Sequence, residues 1–242
     1  NLNAISRGMS IAVEQKLKSE RLKTELITNV SHDIKTPLTS IVNYVDLLQR
    51  EHTPEQEKEY LAVLDRQAHQ LKKLPVDLVE MSKASTGNIP CHIARRSVRE
   101  LIDQTVGEYA ERLALAQLEP VVTLPDEELY CLCDGALLWR VFDNLFSNAC
   151  KYACAGTRLY IGAKRIGDTV EFTFKNISRD ALNIDPDELM ERFVRGDSSR
   201  TTEGSGLGLN IAKSLVELQK GTFSLAIDGD LFKVSFALGW TA

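Results

Sequence analysis

No stretch of this chain approaches the ~18–20 consecutive apolar residues that a bilayer-spanning helix needs, and no secretory leader is evident. A span within these residues is therefore not expected. Excess positive charge is missing too: the formal net charge is −5, which argues against bulk attraction to nucleic acid or an anionic lipid surface, and no basic recognition helix stands out. Cysteine is scarce and odd in number. Five residues (Cys91, Cys131, Cys133, Cys150 and Cys154) make a disulfide framework a poor reading and fit a reducing compartment. Cys131 and Cys133 fall on one face of an expected strand, and Cys150 and Cys154 one helical turn apart. Histidines and acids at ligand spacing are absent beside them, so buried or inert thiols are expected rather than a metal site. A Gly-Lys-Ser/Thr phosphate loop is also lacking, as are internal repeats and low-complexity segments.

What is present is enough apolar material for a core, 43% of residues, in a length of 242 that admits two domains. The first residue is Asn rather than Met, which suggests a piece of a longer protein. The organising stretch is Ser31-His32-Asp33-Ile34-Lys35-Thr36-Pro37-Leu38. Leu22, Leu26, Ile27, Val30 and Ile34 precede or overlap it, and Leu38, Ile41, Val45 and Leu48 come after, spaced by threes and fours as on one helix face. A histidine inside such a helix, followed by an acid, has one ring nitrogen to be held and one left as a nucleophile. Pro37 removes a backbone donor and should bend the helix one turn later. The plain alternative is a solvated histidine beside an accidental kink.

Residues 1–20 read as a thinly amphipathic helix, with the first core helix running from about Ser19 to Arg50. Thr53, Pro54 and Gln56 form an N-terminal signature: cap, first-position proline and capping box. The helix they open carries Leu61, Leu64, Ala68, Leu71, Leu74, Leu78 and Met81, near a heptad seam. Two long helices on a short turn predict an antiparallel hairpin. Its limited burial predicts pairing with a second copy into a four-helix bundle. Pro75 should kink the second helix or end its regular part. Residues 82–90 read as a linker. Beyond it come a short strand near Cys91–Arg95, a helix opened by Ser97 and Glu100, strands near 120–124 and 129–133, and a helix over 135–153. Two strands meeting at Gly167-Asp168, a short helix near 187–193, a helix over 207–219 and a hairpin turning at Gly229-Asp230 complete it. Mixed strands and helices without strict alternation indicate an α+β sandwich, a mixed sheet with helices on one face.

Two further stretches carry chemistry. Asn144, Asn148, Lys151 and Tyr152 recur at helical spacing as one polar stripe, with Val141, Leu145 and Ala149 assigned to the opposite face. Carboxamide oxygens suit a hard divalent cation and a lysine suits phosphate oxygens; a solvated polar face is the bland alternative. Gly204-Ser205-Gly206-Leu207-Gly208-Leu209 opens the last helix, where glycines let backbone N–H groups approach an anion. The polar residues before it suggest a lid.

The three stretches in this order resemble the sensor histidine kinases of bacterial two-component systems, and the resemblance covers nearly the whole chain. It implies a linker or signalling helix over 1–20, a dimerisation and phosphoacceptor hairpin over 21–84, and a Bergerat-type ATP-binding domain over 85–242. His32 would accept phosphate from ATP, Asp33 would orient its ring, and Thr36 would assist hydrolysis on a phosphorylated response regulator. Asn148 would bind Mg²⁺. Asn144, Lys151 and Tyr152 would line phosphates and ribose, Arg195 would reach the γ-phosphate, and Gly204, Gly206, Leu207 and Gly208 would close the phosphate end. The resemblance also implies a homodimer, a response-regulator partner and membrane attachment through upstream segments. Where the family carries Asp-x-Gly-x-Gly for the adenine, this chain has Asn176-Ile177-Ser178-Arg179-Asp180. An amide accepts from the adenine amino group more weakly than a carboxylate. Weaker ATP binding is thus expected, with a phosphatase-dominant or scaffold protein as the alternative. An ATPase or chaperone of the same nucleotide-binding superfamily would have no use for the histidine hairpin.

Overall fold

The Glu51–Thr53 turn separates two helices because Thr53 caps the second of them. Gln56 N–H donates to Thr53 Oγ1 at 3.3 Å while Thr53 N–H donates to Gln56 Oε1 at 2.9 Å, the reciprocal capping box, and Pro54 then occupies the first helical position. The structure, a computed structural model, describes residues 34–85, 89–182, 184–190 and 207–241. They divide into two units, Asn1–Pro75 and Val76–Ala242.

In the first unit, helix α1 (residues 34–48) leads through the turn into α2 (Pro54–Ser85). The Tyr44 and Tyr60 rings meet edge to face at 5.5 Å between centroids, pinning the hairpin beside its turn. Pro37 is buried in α1. Leu38, Val42 and Val45 on α1 and Leu61 on α2 remain 39–52% exposed, an apolar surface that this hairpin does not cover itself. Pro75 does not end α2. The helix continues through it for ten residues to Ser85, and the division between the units falls directly after it.

The second unit is a seven-stranded sheet with helices on one face. In chain order it contains β1 (Ala94–Ser97), α3 (Val98–Leu115), β2 (Glu119–Thr123), β3 (Tyr130–Cys133) and α4 (Gly135–Tyr152). Then come β4 (Arg158–Ile166), β5 (Thr169–Ile177), α5 (Pro186–Leu189), α6 (Gly208–Leu218), β6 (Thr222–Asp228) and β7 (Leu231–Thr241). The first strand begins three residues later than the sequence suggested, because its register is set by antiparallel pairing of Ala94 with Cys133. The sheet order is β1-β3-β7-β5-β4-β2. β6 pairs with residues 231–237 of β7, and β3 takes residues 239–241 of the same strand. Every pairing is antiparallel except β2 with β4, so the sheet is mixed as expected.

Alternation along the strands chooses the covered face. Leu159, Ile161 and Ala163 of β4, Val170, Phe172 and Phe174 of β5, and Val234, Phe236 and Leu238 of β7 are all at most 5% exposed. Phe142 of α4 meets the rings of Phe172, Phe174 and Phe236 with centroids 5.6–6.2 Å apart, so one helical side chain anchors α4 over three sheet positions. Cys131 and Cys133 share this covered side, with sulfurs 3.5 Å apart and no measurable exposure. α4 starts at Asp134, whose carboxylate accepts from the N–H groups of Ala136 and Leu137 at 2.9 and 3.2 Å and from that of His92 at 2.7 Å. Burial pushes that carboxyl upward, but the three backbone donors win and hold it below its ordinary range. Gln219, at the end of α6, accepts from Asp134 N–H, tying α6 to the start of α4.

Candidate functional site

The site is built along α4. Its apolar side is broad: Leu137, Leu138, Val141, Phe142, Leu145, Phe146 and Ala149 are buried. Asn144, Asn148, Lys151 and Tyr152 are half-buried. The expectation that Val141, Leu145 and Ala149 oppose them is corrected. At about 100° per residue, Val141 lies on the polar stripe's own line one turn earlier, and Leu145 and Ala149 flank it. The stripe is thus a polar continuation of a core-facing line, which explains why its residues are half-buried rather than solvated.

At one end of the stripe, Asn144 Nδ2–H donates to the Arg140 carbonyl at 2.8 Å, so its Oδ1 is turned the other way. A Cβ at Gly208, the first residue of α6, would lie 3.0 Å from that Oδ1. Gly208 is glycine because the Asn144 amide occupies the space a side chain would need. Leu207, just before it, is fully buried and anchors the start of α6 in the core. Asn148, one turn along α4, has neither amide atom engaged by another described residue. Its carboxamide oxygen is a free, hard donor at a half-buried position, which fits a Mg²⁺ ligand.

At the other end, β5 delivers Asn176 onto the covered face, two residues beyond Phe174, and leaves it 7% exposed. Its Nδ2–H donates to the Ile177 carbonyl at 3.3 Å, leaving Oδ1 as the acceptor to offer a ligand. The backbone then runs antiparallel to the end of α4. Cys154 N–H donates to the Ile177 carbonyl and Arg179 N–H to the Tyr152 carbonyl, both at 2.8 Å, and Ala153 bridges Ser178. Ser178 N–H donates to the Asp230 carbonyl at 2.7 Å, joining the same segment to the β6–β7 turn. Asn144 and Tyr152 stand about 12 Å apart at 1.5 Å per residue. α4 thus connects a glycine-floored end with an end closed by β5, a span suited to a nucleotide laid along the helix.

Thr36 lies exposed on α1. His32, Asp33, Arg195, Gly204 and Gly206 lie outside the described residues. Sequence reasoning missed the main-chain strap over residues 177–179 and a polar group on α6: Asn210 is 7% exposed, and its Nδ2 has no partner among the described residues.

Residues 22–87 match the His Kinase A (phospho-acceptor) domain, and residues 133–238 match the family of Histidine kinase-, DNA gyrase B-, and HSP90-like ATPases. The chain belongs to the sensor histidine kinases. It is 27% identical over 236 residues to sensor histidine kinase YcbM of Bacillus subtilis (strain 168), covering 93% of this chain and 74% of that kinase. With sensor protein VanS of Enterococcus faecium it shares 29% over 222 residues, 89% of this chain and 56% of VanS. The fold is that of solved histidine kinases. ThkA, in complex with the response regulator protein TrrA, superposes with a TM-score of 0.75 at 18% identity, over 95% of this chain and 66% of that one. Full-length ShkA, in complex with AMPPNP, gives 0.63 at 22% identity, over 90% and 46%. The phosphoacceptor match includes His32 and the hairpin of α1 and α2, and the ATPase match includes α4, β5 and α6. No helix among the described residues is long and apolar enough to cross a membrane.

Proposed function

We propose that this kinase core phosphorylates itself on His32 from ATP and passes the phosphoryl group to an aspartate of a response regulator. Residues 1–20 would form the incoming signalling helix, 21–84 the dimerisation and phosphoacceptor domain, and 85–242 the ATP-binding domain. The observation that carries the reading is the bracketing of α4: Asn144 against Gly208 at one end and Tyr152 strapped to the end of β5 at the other, with Asn148 free between them.

The triphosphate lies toward Asn144, Gly208 and the glycines at 204 and 206, and the adenine amino group donates to Asn176 Oδ1. Lys151 and Arg195 face phosphate oxygens, and Tyr152 the ribose side. Asn148 would hold Mg²⁺, which would supply positive charge to offset that of the phosphates. The free imidazole nitrogen of His32 forms its bond to the γ-phosphorus as the bond to the β–γ bridging oxygen breaks. ADP leaves with that electron pair, and Asp33 assists loss of the ring proton. Thr36, one helical turn from His32, orients the water that hydrolyses the phosphorylated regulator. The uncovered apolar residues Leu38, Val42, Val45 and Leu61 support a homodimer, completing a four-helix bundle. Attachment to a bacterial cell membrane would come through segments upstream of residue 1. ThkA's complex with a regulator and ShkA's with AMPPNP support the partner and the nucleotide.

One observation favours a second reading, a phosphatase-dominant or scaffold protein. Asn176 replaces a charged acceptor, and the glycine-free segment after it is strapped down by three backbone bonds. Incubation with γ-labelled ATP and Mg²⁺, beside His32→Gln, separates the two. Acid-labile label lost in the variant supports the kinase; nucleotide binding without label supports the second reading; no binding would mean that the altered adenine loop has disabled the site.

A further inference from the structure

The side of α4 next to the polar stripe is held by α3 through polar groups, although apolar packing alone would join two helices. Tyr109 of α3 is 3% exposed, with its ring 5.1 Å from that of Phe146. Its hydroxyl lies 2.5 Å from Asp143 Oδ1 and 3.0 Å from the Asp143 carbonyl, the one proton being shared between these acceptors. Burial first, and the bond to Asp143 second, hold this hydroxyl above its ordinary pKa of 10, so it stays a donor. The Arg112 guanidinium sits 4.4 Å over the same ring and donates to Ser147 Oγ at 3.5 Å. Asp143 and Ser147 each directly precede a stripe residue, Asn144 and Asn148.

The network reaches the site. Asp143 Oδ2 pairs with Arg140 Nη1 at 3.3 Å, and the Arg140 carbonyl holds Asn144 Nδ2–H at 2.8 Å, the bond that turns Asn144 Oδ1 toward Gly208. A rotation or slide of α4 would move Asn144 and Asn148 together. The core rings of Phe142 and Phe146 resist it through shape alone, whereas directed bonds at 143 and 147 fix both angle and height.

We propose that Tyr109 and Arg112 are positioning residues for the nucleotide: clamped on Asp143 and Ser147, they set the rotation of α4 that points Asn144 and Asn148 at the phosphates and Mg²⁺. This rests on the nucleotide reading of the α4 stripe. Tyr109→Phe keeps the ring and removes only the hydroxyl; Arg112→Lys keeps charge but not the planar donor. Gln104→Ala, which breaks an exposed bond to Glu108 on α3, is the control.

ATP affinity is titrated with and without Mg²⁺, with thermal melts alongside, in the whole chain. Tyr109→Phe is expected to weaken Mg²⁺–ATP binding roughly three- to tenfold, as the loss of one buried hydrogen bond implies. It should weaken Mg²⁺-free ATP less, and raise the Mg²⁺ needed for half-saturation. Arg112→Lys should do the same more mildly, and Gln104→Ala nothing. Tyr109→Phe with unchanged affinity and unchanged Mg²⁺ requirement, whatever its melting temperature, overturns the proposal. If Asn148→Ala abolishes the Mg²⁺ requirement while Tyr109→Phe leaves it intact, the clamp fails and the nucleotide reading stands. If the native chain binds no ATP, both fall.

Discussion

The two ends of α4 are built by different means. At the Asn144 end the parts are side chains: an amide oriented by the Arg140 carbonyl and a glycine kept small by that amide. A change of residue there changes the site directly. At the Tyr152 end the parts are mostly main chain: Ile177, Ser178 and Arg179 join Cys154, Asp230 and Tyr152 through backbone N–H and C=O groups. Such bonds are indifferent to which side chain is carried. This end can therefore stay closed whatever side chains residues 177–179 carry. Two side chains of this stretch are buried, Asn176 and Ser178, and only these are sensitive to a change of residue. The difference teaches that a backbone-built end tolerates changes of residue that a side-chain-built end registers directly.

The sharpest way to break the comparison is Asn148→Ala. It removes the proposed side-chain ligand, so Mg²⁺-dependent ATP affinity should fall about 100-fold or more, beyond what losing a supporting partner of a metal site costs. Calorimetric titration checks this, and an unchanged Mg²⁺ response would remove Asn148 from the metal site. Next, Gly208→Ala puts a methyl 3.0 Å from Asn144 Oδ1, so the amide must give by a few tenths of an ångström, which disturbs its bond to Arg140. ATP affinity should drop roughly tenfold. The double variant with Asn144→Ala should lose less than the two single losses combined, because the clash has gone.

At the other end, Asn176→Asp should strengthen ATP binding by several-fold, since charge-assisted bonds are roughly twice as strong as neutral ones. It should also lower the melting temperature of the nucleotide-free protein, because a carboxylate there is buried and loses the bond to Ile177 O. Unchanged affinity would mean Asn176 is not the base contact. Smallest, Asp134→Ala should leave nucleotide affinity alone and cost about 1 kcal/mol, the usual value of a lost N-cap. Asp134's folded pKa lies below the ordinary 3.8, so its contribution is present above that value and fades as pH falls through the folded one. Urea unfolding of both proteins at pH 6 and near pH 3 should show the gap narrowing on the acid side.

Most of the architecture was legible in periodicity and caps. Thr53–Gln56 and Ser97–Glu100 announce helix starts through local bonds that the structure contains. The Gly167 and Gly229 turns, at φ of 59° and 57°, demand what glycine supplies. β1 was misplaced by a few residues because strand limits depend on a partner far along the chain, here Cys133. The α4 stripe was legible as a set, yet its neighbours were assigned to the wrong side. Spacing reveals which residues share a line, while which arc is covered depends on where the sheet and α3 lie. Tyr109 and Arg112 read as ordinary members of an amphipathic helix, since nothing local indicates that α3 meets α4 at Asp143 and Ser147. Asn210 likewise gave no signal in advance, being polar at a position that only the fold buries.

The single parallel junction of the sheet also leaves one strand weakly held. Glu119 of β2 must meet Arg158 of β4, 39 residues later, with β3 and α4 intervening. The β4–β5 and β6–β7 pairs close over tight turns. β5 and β7 meet over a longer separation still, Ile177 with Leu231, so what sets β2 apart is that it pairs with β4 alone, at the sheet's rim, where Pro120 contributes no N–H. We expect it to open before the strands at the sheet's centre. Amide exchange should therefore run faster along β2 than along β5 and β7; equal protection would mean that the rim joins the sheet with its centre.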